Sequence, residues 1–349
     1  MQAIVYHQYG SPDVLQCQEI EKPAPGDGQV LIKVRAASVN PMDCGEIKGV
    51  PYIFRGLIGL RKPQITRPCL LGVDVAGEVV ALGRNVMQFK AGDEVFGVCI
   101  SNPQASGLRA WVHCQGAFAE YVCVPEATLV AKPKNVTFEQ AAAVPIAALT
   151  ALQGLRDKGQ IQSEQSVLIH GAGGGVGTFA VQIAKSFGAV VTAVSQTKNV
   201  ELVRSIGADH VIDYTRDDFT KSGQRYDLIF DCFAQHSLSA CRRVLNPGGT
   251  YVAAGGPMKG GGMGLLSRLT YMLVVSRLTS QKLLTFLAQP RKEDLNIIRE
   301  LMATGKVRPV IDRCYPLSEV PEAIRHLQKG HAVGKVVITL EQPQSHNSL

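Results

Sequence analysis

The stretch Ser166-Val-Leu-Ile-His170-Gly-Ala-Gly-Gly-Gly-Val-Gly177 sets a short apolar run against a glycine-dense turn. Val176, Phe179, Ala180, Ile183 and Ala184 then recur at helical spacing. Glycines let backbone amides approach a phosphate. A helix that starts there adds unpaired N–H groups and the positive end of its dipole. A strand, a glycine turn and a helix in that order make a pyrophosphate cradle. Aligned on Gly174 and Gly177, the pattern reads A-x-G-x-x-G, with Ala172 in the first glycine position. Gly173, Gly174, Gly175 and Val176 are the expected cofactor contacts. The competing reading is a purely structural turn, and the flanking strand and helix weigh against it.

The next strand of such a unit ends at Ala193-Val-Ser195-Gln196-Thr-Lys198. NAD-specific sites place an Asp or Glu there to accept from the ribose hydroxyls. None is present. A 2′-phosphate would repel a carboxylate and attract Ser195, Lys198 and the phenol of Tyr214. The sequence therefore predicts NADPH rather than NADH.

These residues need a scaffold. At 349 residues the chain suits two domains, and 46% hydrophobic with 19% charged residues suits a globular protein. Gln29 to Ala36, Val79 to Ala81, Glu94 to Val98 and Phe118 to Val124 read as short strands separated by Gly and Pro turns. That is the pattern of a partly open β-barrel. From Val167 strands and helices alternate, which predicts a doubly wound parallel sheet. The expected division is 1–125 with 306–349 returning to it, and 126–305. Thr250 to Ala254 is the expected edge strand of a homodimer.

The net charge of +7 is spread along the chain without a basic stripe, which excludes nucleic-acid recognition. Nine cysteines lack any C-x-x-C spacing and read as reduced thiols. No secretory pattern opens the sequence, so the expected location is cytoplasmic. Leu265 to Leu287 is the most apolar stretch, but Arg268, Arg277 and Lys282 interrupt it. It reads as a buried or amphipathic helical segment rather than a membrane contact, and integral membrane association is not expected.

Six ordered motifs carry a family resemblance. They are Ser38-Val-Asn-Pro-Met-Asp43, Gly72-Val-Asp-Val-Ala-Gly-Glu-Val79, Gly116-Ala-Phe-Ala-Glu-Tyr121, the glycine segment from His170 to Gly177, Leu245-Asn-Pro-Gly-Gly249 and Gly334-Lys-Val-Val-Ile338. The chain resembles the quinone oxidoreductase branch of the zinc-free medium-chain dehydrogenase/reductases. Within it, the match is to the reticulon-interacting mitochondrial oxidoreductases and their bacterial relatives. The resemblance implies a GroES-like β-rich catalytic domain and a Rossmann domain. It implies hydride transfer from NADPH to a quinone or an α,β-unsaturated carbonyl, with a 2-enoyl thioester reductase or a catalytically silent NADPH-binding protein as alternatives. It places Asn40 beside nicotinamide and substrate, where its amide could stabilise an oxygen that gains charge. Tyr52 is a candidate proton donor. Thr150, Gly255, Gly256 and His331 resemble cofactor contacts.

Zinc members of this superfamily use Cys, His and Cys as catalytic ligands, with Glu often following the His. Here Gly72 is followed by Val73-Asp74, Asn40 and Asp43 occupy the first-ligand region, and Cys44 has no histidine partner. No metal is expected. Residues 52–68, 101–115 and 256–281 are longer than in compact quinone reductases, and loops of this kind shape access to a site.

Overall fold

The computed structural model describes residues 1–49, 69–100, 116–255 and 261–340, with side chains omitted for 261–266. Residues 52–68, with Tyr52 among them, residues 101–115 and Gly256 lie outside the described residues. The strands are β1 (Gln2–Tyr6), β2 (Gln16–Glu19), β3 (Gln29–Val39), β4 (Cys69–Leu70), β5 (Asp74–Leu82), β6 (Glu94–Val98), β7 (Tyr121–Pro125), β8 (Leu129–Ala131), β9 (Ser166–His170), β10 (Val190–Ser195), β11 (His210–Asp213), β12 (Tyr226–Asp231), β13 (Leu245–Ala253), β14 (Lys282–Thr285), β15 (Ile311–Pro316) and β16 (Lys335–Thr339). The α-helices are α1 (Pro41–Ile47), α2 (Phe138–Ala142), α3 (Pro145–Gln153), α4 (Gly175–Ser186), α5 (Val200–Ser205), α6 (Leu238–Arg243), α7 (Gly261–Leu278), α8 (Lys292–Ala303) and α9 (Val320–Gln328).

Two compact units result. The first holds Met1–Ile146, Gln289–Ala303 and Pro309–Leu349; the second holds Ala147–Ala288 and Thr304–Arg308. This boundary departs from the division at 125 and 305 expected from the sequence. Chain beyond Pro125 still serves the first unit, because β8 pairs with β6. Likewise Asn135 Nδ2 donates to the Met302 carbonyl of α8 at 3.2 Å.

The first unit has a three-stranded sheet, β2-β1-β4, and a larger sheet with path β15-β16-β3-β5-β6-β8. Strand β3 organises the larger one. One edge pairs with β5, while the other is shared by β7 along Gln29–Lys33 and β16 along Ala36–Val39. Register shifts against β5 bend the strand enough for this sharing. Gly77 permits the close pairing, since a Cβ there would lie 2.2 Å from the Lys33 carbonyl oxygen. Ile32, Val34, Val79, Phe118, Val336 and Ile324 are among the side chains that fill the core.

The second unit is one parallel sheet of order β11-β10-β9-β12-β13-β14. This is the doubly wound order whose direction reverses at the first strand, here β9. Val167, Leu168 and Ile169 are fully buried, as expected of a parallel strand covered on both faces. Two expectations are corrected here. Thr250 to Ala253 lie in β13, which is flanked by β12 and β14, so the edge strand on that side of the sheet is β14. The apolar stretch ending at Leu287 is not helical throughout: α7 stops at Leu278, and Lys282 begins β14 because its amides are needed by β13.

Candidate functional site

The glycine turn joins β9 to α4. Gly171 adopts φ +83°, a conformation that disfavours side chains, and turns the chain out of β9. Gly177 brings the first turn of α4 onto the loop, since a Cβ would stand 2.1 Å from the Gly171 carbonyl oxygen. Gly174 is the N-cap and carries no side-chain cap, and no acidic residue stands in the first turn. The first-turn amides of Gly175, Val176 and Gly177 therefore lie at the positive end of α4 with no side-chain cap on Gly174, in a field that favours an anion. A Cβ on Gly173 would meet Asn199 Nδ2 at 2.5 Å and Ser195 Oγ at 3.0 Å, so the loop crosses directly over the end of β10.

Ser195 Oγ is buried and has no hydrogen-bond partner. Such orphans are rare and call for a missing ligand or water. Lys198 and Gln196 follow at the surface side of the same strand end, Lys198 exposed. Tyr214, half exposed, joins them by donating its backbone N–H to the Ser195 carbonyl at 3.0 Å. The loop and strand end thus gather Gly173, Gly174, Gly175, Val176, Ser195, Gln196, Lys198 and Tyr214, and their donor chemistry fits a phosphorylated dinucleotide. Asp213, opposite Ser195 in register, accepts from Thr197 Oγ1 at 2.6 Å and Thr215 Oγ1 at 2.8 Å. The Thr197 bond leads the causes that hold its carboxyl below the usual range. Thr150 lies on α3 within the second unit and is nearly buried, and Gly255 follows β13. His331 is exposed and belongs to the first unit.

A second feature of this unit was not read from the sequence. His170 and Asp231 end β9 and β12 side by side, at the carboxyl ends of the strands where the sheet order reverses. His170 Nδ1 lies 2.9 Å from Asp231 Oδ1. The backbone N–H groups of Phe233 and Ala234 donate to the same oxygen at 2.9 and 2.7 Å. Tyr251 Oη donates to Oδ2 at 2.8 Å, and Arg268 of α7 donates to Tyr251 at 2.7 Å. Burial alone would raise the Asp231 pKa; the His170 bond and charge, with the two amides, outweigh it and hold the group at about 2.

The first unit contains a different cluster. Asn40 precedes Pro41 and caps α1, with Asp43 accepting from its backbone N–H at 2.7 Å. Its side-chain amide is fully engaged: Nδ2 donates to Asp74 Oδ2 at 2.9 Å and to the Ser38 carbonyl at 3.3 Å. Lys335 Nζ, 4% exposed, donates to Asn40 Oδ1 at 2.6 Å and approaches Asp74 Oδ2 at 3.3 Å. Asp74 also accepts from Ser38 Oγ at 2.6 Å and Ile146 N at 2.9 Å. Burial is the main force that pushes Asp43 up to about 7, with the charge of Asp74 adding to it, against the bonds from the Asn40 and Gly72 amides.

The chain is similar to known enzymes throughout. Residues 26–134 match the alcohol dehydrogenase GroES-like domain family, and 206–338 match a zinc-binding dehydrogenase family. The 2-methylene-furan-3-one reductase of Solanum lycopersicum is 35% identical, over 97% of this chain and 79% of its own. The mitochondrial NAD(P)H oxidoreductase RTN4IP1 of Mus musculus is 36% identical, over 97% and 89%. The quinone oxidoreductase structure from Coxiella burnetii superposes with TM-score 0.80 at 30% identity, covering 98% of this chain and 99% of its own. The chain is a medium-chain dehydrogenase/reductase.

In this dehydrogenase/reductase the donor set around Asp74 does not fit a catalytic zinc. Both Asp74 oxygens are committed to protein donors, and the ammonium of Lys335 already supplies the positive charge. Cys44 is a thiol whose pKa rises to about 11, first through burial and then through Asp43, which opposes a thiolate ligand. Among the described residues, no group of three or more His, Cys, Asp and Glu side chains could hold a metal ion.

Proposed function

We propose that the chain transfers hydride from NADPH to a quinone or an α,β-unsaturated carbonyl, with no metal ion taking part. The observation that carries the NADPH assignment is the orphan Ser195 hydroxyl beside Gly173, on a strand end that lacks a carboxylate. Gly174, Gly175 and Val176 hold the pyrophosphate, while Lys198, Gln196 and Tyr214 flank the 2′-phosphate. Thr150, Gly255, Gly256 and His331 complete the proposed contacts. The reduced nicotinamide supplies the hydride chemistry; the protein orients it and stabilises charge on the acceptor.

Asn40 is the proposed donor to the acceptor oxygen. It can serve only by releasing the longer of its two Nδ2 bonds, the one to the Ser38 carbonyl. Lys335 and Asp74 then keep the amide plane fixed. Tyr52 is the proposed proton donor. The relatives named for quinone and furanone substrates support an electron-poor acceptor. A homodimer through the edge strand β14 is proposed, and a cytoplasmic, reducing location accords with eight described cysteines that form no disulfide among the described residues.

The deciding experiment follows NADPH and NADH oxidation against quinones, short enones and 2-enoyl thioesters, with Asn40→Ala and Tyr52→Phe alongside. The expected result is a preference for NADPH and turnover of quinones or enones. NADH preference would remove the cofactor assignment, thioester preference would move the substrate class, and NADPH binding without turnover would leave a silent binder.

A further inference from the structure

We infer that the second unit carries a docking surface for an anionic lipid bilayer, formed by the outer face of α7 and the basic cleft beside it. Helix α7 carries apolar side chains on both its inner and its outer side, the outer ones interspersed with the exposed Ser267, Thr270 and Arg277. Its inner side chains Met272 and Val275 are buried in the core with Tyr251 and Leu283. Its outer side exposes Leu269, Leu273, Val274 and Leu278, the last two at 47% and 78%. A helix at a protein surface ordinarily presents polar groups there. Here the only outward cation in that row is Arg277, one turn from Leu273, and its long stem can lie along the leucines.

The cleft has a volume of about 600 Å³ and is lined by Lys221, Arg225, Arg242, Arg243, Ser239 and Gln281 among others, with no carboxylate in its lining. Arg243 is exposed and makes no hydrogen bond or ion pair among the described residues. Lys221 has only a loose partner, Asp218 at 3.6 Å. Cleft and helix are directly joined. Arg242 donates to Gln281 Oε1 at 3.1 Å and to Tyr271 Oη of α7 at 3.3 Å. Tyr271, Val274 and Leu278 stand at i, i+3 and i+7, so the apolar row begins on the side of the helix that touches the cleft.

Apolar side chains next to cations that no close carboxylate neutralises are what an interfacial helix presents to acidic headgroups. The charges also select the occupant. In a symmetric dimer over this patch, two copies of the same basic surface would face each other, whereas an anionic surface complements them. The helix would lie on the bilayer, since no described helix is long and apolar enough to cross one. This inference is independent of the proposed activity.

The test is co-sedimentation of the full chain with vesicles of phosphatidylcholine, alone or mixed with phosphatidylglycerol, at low and high salt. Glycerol 3-phosphate serves as the soluble phosphate arm, and light scattering records mass. Binding is expected only to the mixed vesicles and should weaken with salt. Lys221→Glu with Arg243→Glu should lower it at least about 25-fold, taking roughly fivefold for each cation. Leu273→Glu with Leu278→Glu should abolish it, while the thermal midpoint and NADPH oxidation stay unchanged. Equal binding to neutral vesicles, or binding indifferent to the leucines, overturns the inference. So does saturation of the cleft by glycerol 3-phosphate without vesicle binding, which would mark a free-phosphate site. A fall in mass on Leu273→Glu, again without vesicle binding, would assign the face to a second copy.

Discussion

Asp43 and Asp231 are both fully buried aspartates, yet one is pushed up to about 7 and the other held at about 2. The difference lies in how many donors each cluster supplies per carboxylate. In the first unit, Asp43 and Asp74 share the neighbourhood of one ammonium, Lys335. Burial and the second carboxylate win over two backbone donors. In the second unit a single carboxylate receives four donors, one of them a histidine. Desolvation acts here too but is outweighed. Burial alone does not set the charge of an acid; the local count of donors and like charges does.

The largest effect expected from breaking this comparison is on Lys335. Lys335→Met leaves Asp74 buried without its cation and should cost about 3–5 kcal/mol by urea unfolding. Lys335→Arg should recover part of it. Hydrogen exchange should locate the loss in the first unit, and a loss spread evenly over both would show that Lys335 is not the local counterion.

The two acids should also give opposite pH dependence. The raised pKa of Asp43 means the folded protein holds that proton more tightly than the unfolded chain. Stability from this group is full below about pH 4 and falls as pH rises towards about 7, by up to about 4 kcal/mol. Asp43→Asn should flatten that slope. For Asp231 the folded pKa is lowered. Its contribution, about 2–3 kcal/mol, is present above about pH 4 and lost as pH falls through about 2. A carboxyl-resolved NMR titration finding both groups titrating together near pH 4 would remove the contrast.

Smaller effects sharpen it. Tyr251→Phe removes one of the four donors to Asp231 and frees Arg268, which should cost about 1 kcal/mol and loosen α7 in hydrogen exchange. Ser195→Ala should leave stability within about 0.5 kcal/mol. It should raise KM for NADPH several-fold without changing that for NADH; an equal change in both would deny the hydroxyl a role at the 2′-phosphate.

The parts of this molecule that were legible from sequence are local ones. Ser166 to Lys185 announces strand, turn and helix within twenty residues, and the missing acid after Val194 is a property of one strand end. The His170–Asp231 pair is not local. It arises because β9 and β12 are neighbours in register, and nothing near either residue signals the other. The compact units divide elsewhere than at residue 125 for a related reason. The composition changes at Pro125, but β8 beyond it completes the hydrogen bonding of β6. Asn40 is singled out by its motif, but its saturation by Asp74 and Lys335 depends on β16 returning to β3.

That return has a consequence for biosynthesis. Lys335 reaches an acid 261 positions earlier in the chain. At roughly 5–20 residues per second, a ribosome needs tens of seconds to deliver it after Asp74 has emerged. Until then the nascent N-terminal strands carry acidic groups that cannot be sealed away without their partner. Closure of this interior therefore has to wait until β16 has been synthesised and has returned to β3.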